Sequence, residues 1–139
     1  MVLFPKKVKY RKSQKRRENP LRKNVATRGN TLAYGTYGLK AAQPKWISVN
    51  QIEAARKTMS RFIEKSGKIW IRIFADRAVT AKPPEVGMGK GKGDPVGYIA
   101  RVSTGTVIFE LDGIDRDKAR EALRKAGSKL PLKTRIVER

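Results

Sequence analysis

The sequence predicts an α+β chain: a two-layer α/β sandwich in which a mixed or antiparallel sheet carries two helices, preceded by a basic N-terminal extension. Three observations lead there. Two stretches place apolar side chains at helical spacing, several short stretches alternate apolar and polar residues, and the two kinds are interleaved. The order reads strand, helix, one or two strands, a glycine-rich loop, two strands, helix, strand.

Residues 32–41 hold Tyr34, Tyr37 and Leu39 around Gly35 and Gly38, and read as a strand with glycines at close approaches. Ser48 followed by Gln51 is a capping-box pair, in which each side chain satisfies the other residue's free N–H. Behind it Ile52, Ala55, Met59, Phe62 and Ile63 form one helical stripe, with Arg56, Lys57, Arg61 and Lys65 largely outside it. Ser66-Gly67 is expected to end this helix. Residues 68–74 alternate: Ile69, Ile71 and Ile73 face one way, and Trp70, Arg72 and Phe74 the other. A shorter strand surrounds Val79, Pro83-Pro84 halts regular structure, and residues 85–95 form a loop with glycine at 87, 89, 91 and 93. Residues 98–102 and 106–111 flank Ser103-Thr104-Gly105 and are expected to pair as an antiparallel hairpin, with Gly105 at positive φ. Asp112-Gly113 turns the chain, and Asp115 caps a second helix with Ala119, Ala122, Leu123, Ala126 and Leu130 on its apolar side. Pro131 stops that helix and residues 133–137 make a last strand.

Composition narrows the function. The 139 residues contain 33 Lys and Arg against 12 Asp and Glu, a net charge of +21, and the sequence pI is about 10.8. A compact domain with that imbalance implies a polyanionic partner. Cysteine is absent, which excludes disulfides and thiolate metal sites, and histidine is absent, which removes the commonest general base and the usual zinc ligand. No apolar run approaches the roughly 20 residues of a membrane span. Residues 1–45 carry 13 basic groups and one acid, Glu18, so the first third holds +12 of the +21. Residues 1–30 are read as an extension that repels itself until an anion arrives, and residues 31–139 as a single sandwich domain with a basic glycine loop at 82–95.

Four groups of residues could carry chemistry. Lys6, Lys7, Lys9, Arg11, Lys12, Lys15, Arg16 and Arg17 crowd into twelve positions around Tyr10, an arrangement suited to neutralising phosphates and stacking on a base. Gly87-Met88-Gly89-Lys90-Gly91-Lys92-Gly93 lacks P-loop spacing, with three residues instead of four before Gly91-Lys92 and no Ser or Thr after it. It is either a loop whose backbone approaches RNA closely or a surface loop without a partner. Trp70, Arg72 and Phe74 could form a stacking platform, though packing under a helix or loop is the reading taken. Asp112, Asp115 and Asp117 could hold a metal, but capping and the helix macrodipole explain the last two with less.

Six segments in order then resemble the bacterial-type L-sixteen family of large-subunit ribosomal proteins. They are Pro5-Lys6-Lys7-Val8-Lys9-Tyr10-Arg11-Lys12, Gly38-Leu39-Lys40-Ala41, Gln51-Ile52-Glu53-Ala54-Ala55-Arg56, Gly67-Lys68-Ile69-Trp70-Ile71-Arg72-Ile73-Phe74, Met88-Gly89-Lys90-Gly91-Lys92-Gly93 and Lys129-Leu130-Pro131-Leu132-Lys133-Thr134. The resemblance implies a non-enzymatic, cytoplasmic or organellar ribosomal protein, without cofactor or small-molecule substrate. Its partners would be large-subunit ribosomal RNA, aminoacyl-site tRNA near the peptidyl-transferase region and neighbouring ribosomal proteins, and it would act late in subunit assembly. It further implies ribosomal-RNA contacts at Lys6, Lys7, Lys9, Tyr10, Arg11, Lys12, Lys15, Arg16, Arg17, Lys40, Arg56, Lys57 and Arg61. The tRNA-facing loop would be Met88, Gly89, Lys90, Gly91, Lys92 and Gly93. Gly87 stands where many members carry Arg, so no contact tied to that Arg carries over. Two alternatives have distinct signatures: a DNA-compacting protein would hold duplex DNA as well as RNA, and a carboxylate nuclease would depend on Asp112 or Asp115.

Overall fold

The computed structural model describes residues 3–15, 21 and 24–139. The capping box forms: the Ser48 N–H donates to Gln51 Oε1 at 3.0 Å and the Gln51 N–H donates to Ser48 Oγ at 3.4 Å. Helix α1 (Val49–Ile63) follows and buries Ile52, Ala55, Met59 and Ile63. Its stop differs from the expected one. Glu64 and Lys65 adopt left-handed φ of 48° and 67°, and the Ser66 N–H donates to the Ile63 carbonyl at 2.8 Å. Gly67 serves a different need, since a Cβ there would press on the Asp112 carbonyl oxygen. Helix α2 (Arg116–Gly127) buries Ala119, Ala122, Leu123 and Ala126 against α1. Asp115 occupies its N-cap position, but the carboxylate makes no capping hydrogen bond.

The strands divide between two sheets, both antiparallel throughout, where the sequence suggested one. The first combines β1 (Tyr37–Ala41), β3 (Lys68–Ile71), β6 (Val107–Asp112) and β7 (Thr134–Glu138) in the order β3-β6-β1-β7. The second combines β2 (Lys45–Ser48), β4 (Arg77–Ala81) and β5 (Asp94–Val102) in the order β2-β5-β4. The expected hairpin of residues 98–111 is therefore absent: β5 and β6 belong to different sheets. Residues 103–106 cross between them because Gly105 and Thr106 bond to the end of β1. The Gly105 N–H donates to the Ala41 carbonyl at 2.7 Å and the Ala41 N–H to the Thr106 carbonyl at 2.8 Å. Gly105 does take a positive φ, 92°. Strand β2, only four residues long and running directly into a helix cap, escaped the sequence reading. Strand β5 begins at Asp94, inside the expected loop.

The register of the four-stranded sheet sets its two faces. Leu39, Phe109 and Ile71 lie opposite one another, as do Tyr37, Leu111 and Ile69. This face joins the helices in the core, where Leu39, Met59, Phe109, Leu111 and Leu123 are buried. The other face holds Gly38, Glu110 and Trp70 in one row. The segment before β1 crosses it, with Gly38 leaving room for the Leu32 side chain and Gly35 lying against the Leu111 carbonyl. Trp70, Arg72 and Phe74 are accordingly not core residues. They lie on or beyond the face that only this thin segment covers, and Phe74 is 47% exposed.

Candidate nucleic-acid interface

Alternation in β2 and β5 sends Ile47, Ala100 and Val102 inward to the core. The same alternation sends Trp46 and Arg101 outward as direct cross-strand partners. The Arg101 guanidinium carbon sits 5.0 Å from the Trp46 ring centroid, within cation–π range. Arg77 of β4 pairs with Ile99 on the same outer face.

The N-terminal segment and the glycine loop meet over this face. A shallow depression is lined by Trp46, Arg77, Ile99 and Arg101 from the sheet, Ser13, Gln14 and Lys15 from the segment and Lys92 from the loop. Lys15, Arg77, Lys92 and Arg101 thus converge, and among the described residues no carboxylate lines the surface between them. Two lysines clasp the converging chains. Lys12 Nζ donates to the Lys92 carbonyl at 2.9 Å, Lys92 Nζ donates to the Ser13 carbonyl, and Lys12 lies 3.9 Å from Asp94. Farther along, Phe4 stacks on Tyr98 with ring centroids 6.0 Å apart and planes 4° from parallel.

The loop reverses through consecutive left-handed residues, Gly89 (φ 101°), Lys90 (φ 56°) and Gly91 (φ 91°). Glycine admits this conformation freely, whereas Lys90 carries the strain of a Cβ there. Lys82 Nζ donates to the Gly89 carbonyl, and Met88 projects fully into solvent.

The other candidate residues scatter. Lys6, Lys7, Lys9, Tyr10 and Arg11 are exposed along the N-terminal segment, where Lys9 Nζ lies 5.5 Å from the Tyr10 ring. Arg16 and Arg17 lie outside the described residues. Lys40 is half-buried in β1 and does not line the depression. Arg56 and Lys57 on α1 are engaged by Glu53. Arg56 is bidentate, at 2.9 and 2.6 Å, and Lys57 lies 3.8 Å away. The Arg56 hydrogen bonds hold the Glu53 carboxyl below its ordinary range. Arg61 sits exposed in the last turn of α1. Asp112 accepts a 2.7 Å hydrogen bond from Thr36 Oγ1, which lowers its pKa. Trp46, Arg77 and Arg101 were not singled out from sequence. Only the pairing of β2 and β4 with β5 brings them together, and the short β2 carried no signal of its own.

Comparison with known proteins gives a consistent result. The sequence model of one family, described as Ribosomal protein L16p/L10e, matches residues 5–137. The chain is similar to the large ribosomal subunit protein uL16 of Methylacidiphilum infernorum, at 49% identity over 139 residues, covering 100% of this chain and 94% of that protein. It is equally similar to the large ribosomal subunit protein uL16 of Parabacteroides distasonis, at 49% identity over 138 residues, covering 99% and 93%. With a family match over nearly all of its residues and relatives nearly half identical from end to end, the chain belongs to the ribosomal protein L16p/L10e family.

Proposed function

We propose that this chain, as a structural and non-enzymatic protein of the large ribosomal subunit, binds ribosomal RNA mainly through its N-terminal segment and the outer face of the β2-β5-β4 sheet. The observation that carries this reading is the convergence of Lys15, Arg77, Lys92 and Arg101 around Trp46, with no carboxylate among the described residues that line the depression. Phosphates would neutralise the cations and release counterions, while the indole offers a base or ribose a flat apolar surface. The exposed Lys6, Lys7, Lys9, Tyr10 and Arg11 extend the same strip, with Lys40, Arg56, Lys57 and Arg61 as secondary contacts. The loop 88–93, built with small residues and exposed lysine, reaches toward aminoacyl-site tRNA near the peptidyl-transferase region, and the chain acts late in subunit assembly.

Binding to a large-subunit RNA fragment, measured from 50 to 300 mM salt, tests the first part. Affinity falls steeply with salt, by about 0.7–0.9 log units of slope per phosphate contact, and deleting residues 1–17 flattens the slope. An unchanged slope removes the role assigned to the segment, and equal retention by duplex DNA transfers the reading to a DNA-compacting protein. For the loop, Lys90→Ala with Lys92→Ala impairs tRNA accommodation more than incorporation into particles on a sucrose gradient. Equal loss of both makes the loop an assembly element.

A further inference from the structure

A second aromatic surface lies on the other sheet, away from the residues that line the basic depression. Tyr34 and Trp70 stack with ring centroids 6.1 Å apart and planes 19° from parallel. With Arg56, Ile69 and Ile71 they line a cleft of about 560 Å³, within the size range of small-ligand sites. We propose that this cleft takes an unpaired nucleobase of single-stranded RNA; the proposal rests on the RNA-binding reading above and adds a separate, base-stacking site to it.

The first argument is rigidity without a stability reason. Tyr34 is 61% exposed, yet its backbone is fixed. The fully buried Glu110 carboxylate accepts N–H bonds from Ala33 at 3.2 Å, Tyr34 at 2.7 Å and Gly35 at 2.7 Å, and is paired with Arg72. Arg72, held by that pair, also places its guanidinium 5.2 Å from the Tyr34 ring centroid. An exposed ring on so constrained a backbone contributes little to the core, but it presents a preformed stacking face at low entropic cost.

The second argument concerns what the cleft could recognise. Its lining is aromatic and apolar apart from Arg56, whose charge is met by a bidentate pair with Glu53. A planar, uncharged group such as a nucleobase fits that set. The third argument is the open edge. Strand β3 is an outer strand of its sheet, so main-chain N–H and C=O groups unpaired in the sheet border the cleft. They match the donors and acceptors along the rim of a base. An apolar side chain from a protein would leave those groups unused.

Intrinsic fluorescence of the full chain tests the proposal. Trp46→Phe leaves Trp70 as the only indole, and the probes are a 12-nucleotide oligouridylate and the duplex it forms with oligoadenylate. The single strand quenches Trp70 and the duplex does not. Tyr34→Ala weakens binding of the single strand about five-fold or more and leaves duplex binding unchanged, while Tyr34→Phe retains both. The Ala variant keeps the backbone N–H that Glu110 binds, and circular dichroism confirms its fold. Binding of the single strand without any change at Trp70, or equal effects of Tyr34→Ala on both probes, overturns the proposal and leaves the RNA reading standing. Failure of the unmodified chain to bind either probe overturns both.

Discussion

The two sheets handle positive charge in opposite ways. On the side of the four-stranded sheet and the helices, seven cations are paired within the protein: Arg72 with Glu110, Arg56 and Lys57 with Glu53, Arg116 and Arg120 with Glu138, and Arg124 and Lys125 with Glu121. Beside the three-stranded sheet the one ion pair among the described residues is the loose contact of Lys12 with Asp94. Among the described residues, Arg77 and Arg101 form no ion pair there. A net charge of +21 is thus not spread evenly over the surface. One side uses many of its cations to fix its own structure, and the other leaves more of them for a ligand.

The largest effect should come from breaking the internally paired side. Glu110→Ala strands Arg72 and orphans the N–H groups of residues 33–35, and removal of one partner from a buried pair costs about 3–5 kcal/mol. Urea denaturation measures it, and a loss below about 1 kcal/mol would put this pair on the footing of a surface ion pair. Next in size is the ligand side. Arg77→Ala combined with Arg101→Ala should leave the urea midpoint unchanged and lower the RNA salt slope by about one to two units. Arg116→Ala with Arg120→Ala, on the paired side, should leave that slope unaltered. A third measurement separates the sides by pH. Burial pushes the Glu110 carboxyl up, but the N–H donors of Gly35, Tyr34 and Ala33 together with Arg72 outweigh it and hold the group below the ordinary carboxylate range. The folded value lies under the unfolded one, so this stabilisation is full above the unfolded pKa and disappears as pH falls through the folded one. With no histidine in the chain, stability should be flat between about pH 6 and 8 and decline only in acid, as denaturation at pH 7, 4 and 3 would show. In Glu110→Gln the acid decline should be shallower. The smallest effect is Ser48→Ala, which removes the cap at the junction of β2 and α1 and costs about 1 kcal/mol without altering the salt slope.

What could be read from sequence divides along physical lines. The helices were legible because their burial repeats locally: every buried position of α1, Ile52, Ala55, Met59 and Ile63, lies on the predicted stripe. The capping box was legible because its two residues are three apart. The sheet partition was not, since Gly105 and Thr106 bond to Ala41, more than sixty positions earlier, and Thr104 to Asn24 and Ala26. Gly105 announced a turn without announcing its direction. Glu110 sits in a run of apolar strand residues and gave no sign of its partners, because three of them are backbone groups of residues 33–35. The cationic character of the candidate interface was visible in the lysine-rich segment and the glycine loop. Its floor was not, because Trp46, Arg77 and Arg101 come from three strands of a sheet that no local pattern revealed.

The reciprocal lysine clasp has one more result. Two of the ammonium groups that face the candidate interface each hold a carbonyl of the opposite segment: Lys12 that of Lys92, and Lys92 that of Ser13. Each ammonium keeps further N–H donors beyond the one given to that carbonyl, so an incoming strand that recruits either lysine meets a group already tied to the neighbouring chain. The leading arm and the glycine finger are thus fastened to each other, and a ligand that reaches this junction touches both at once.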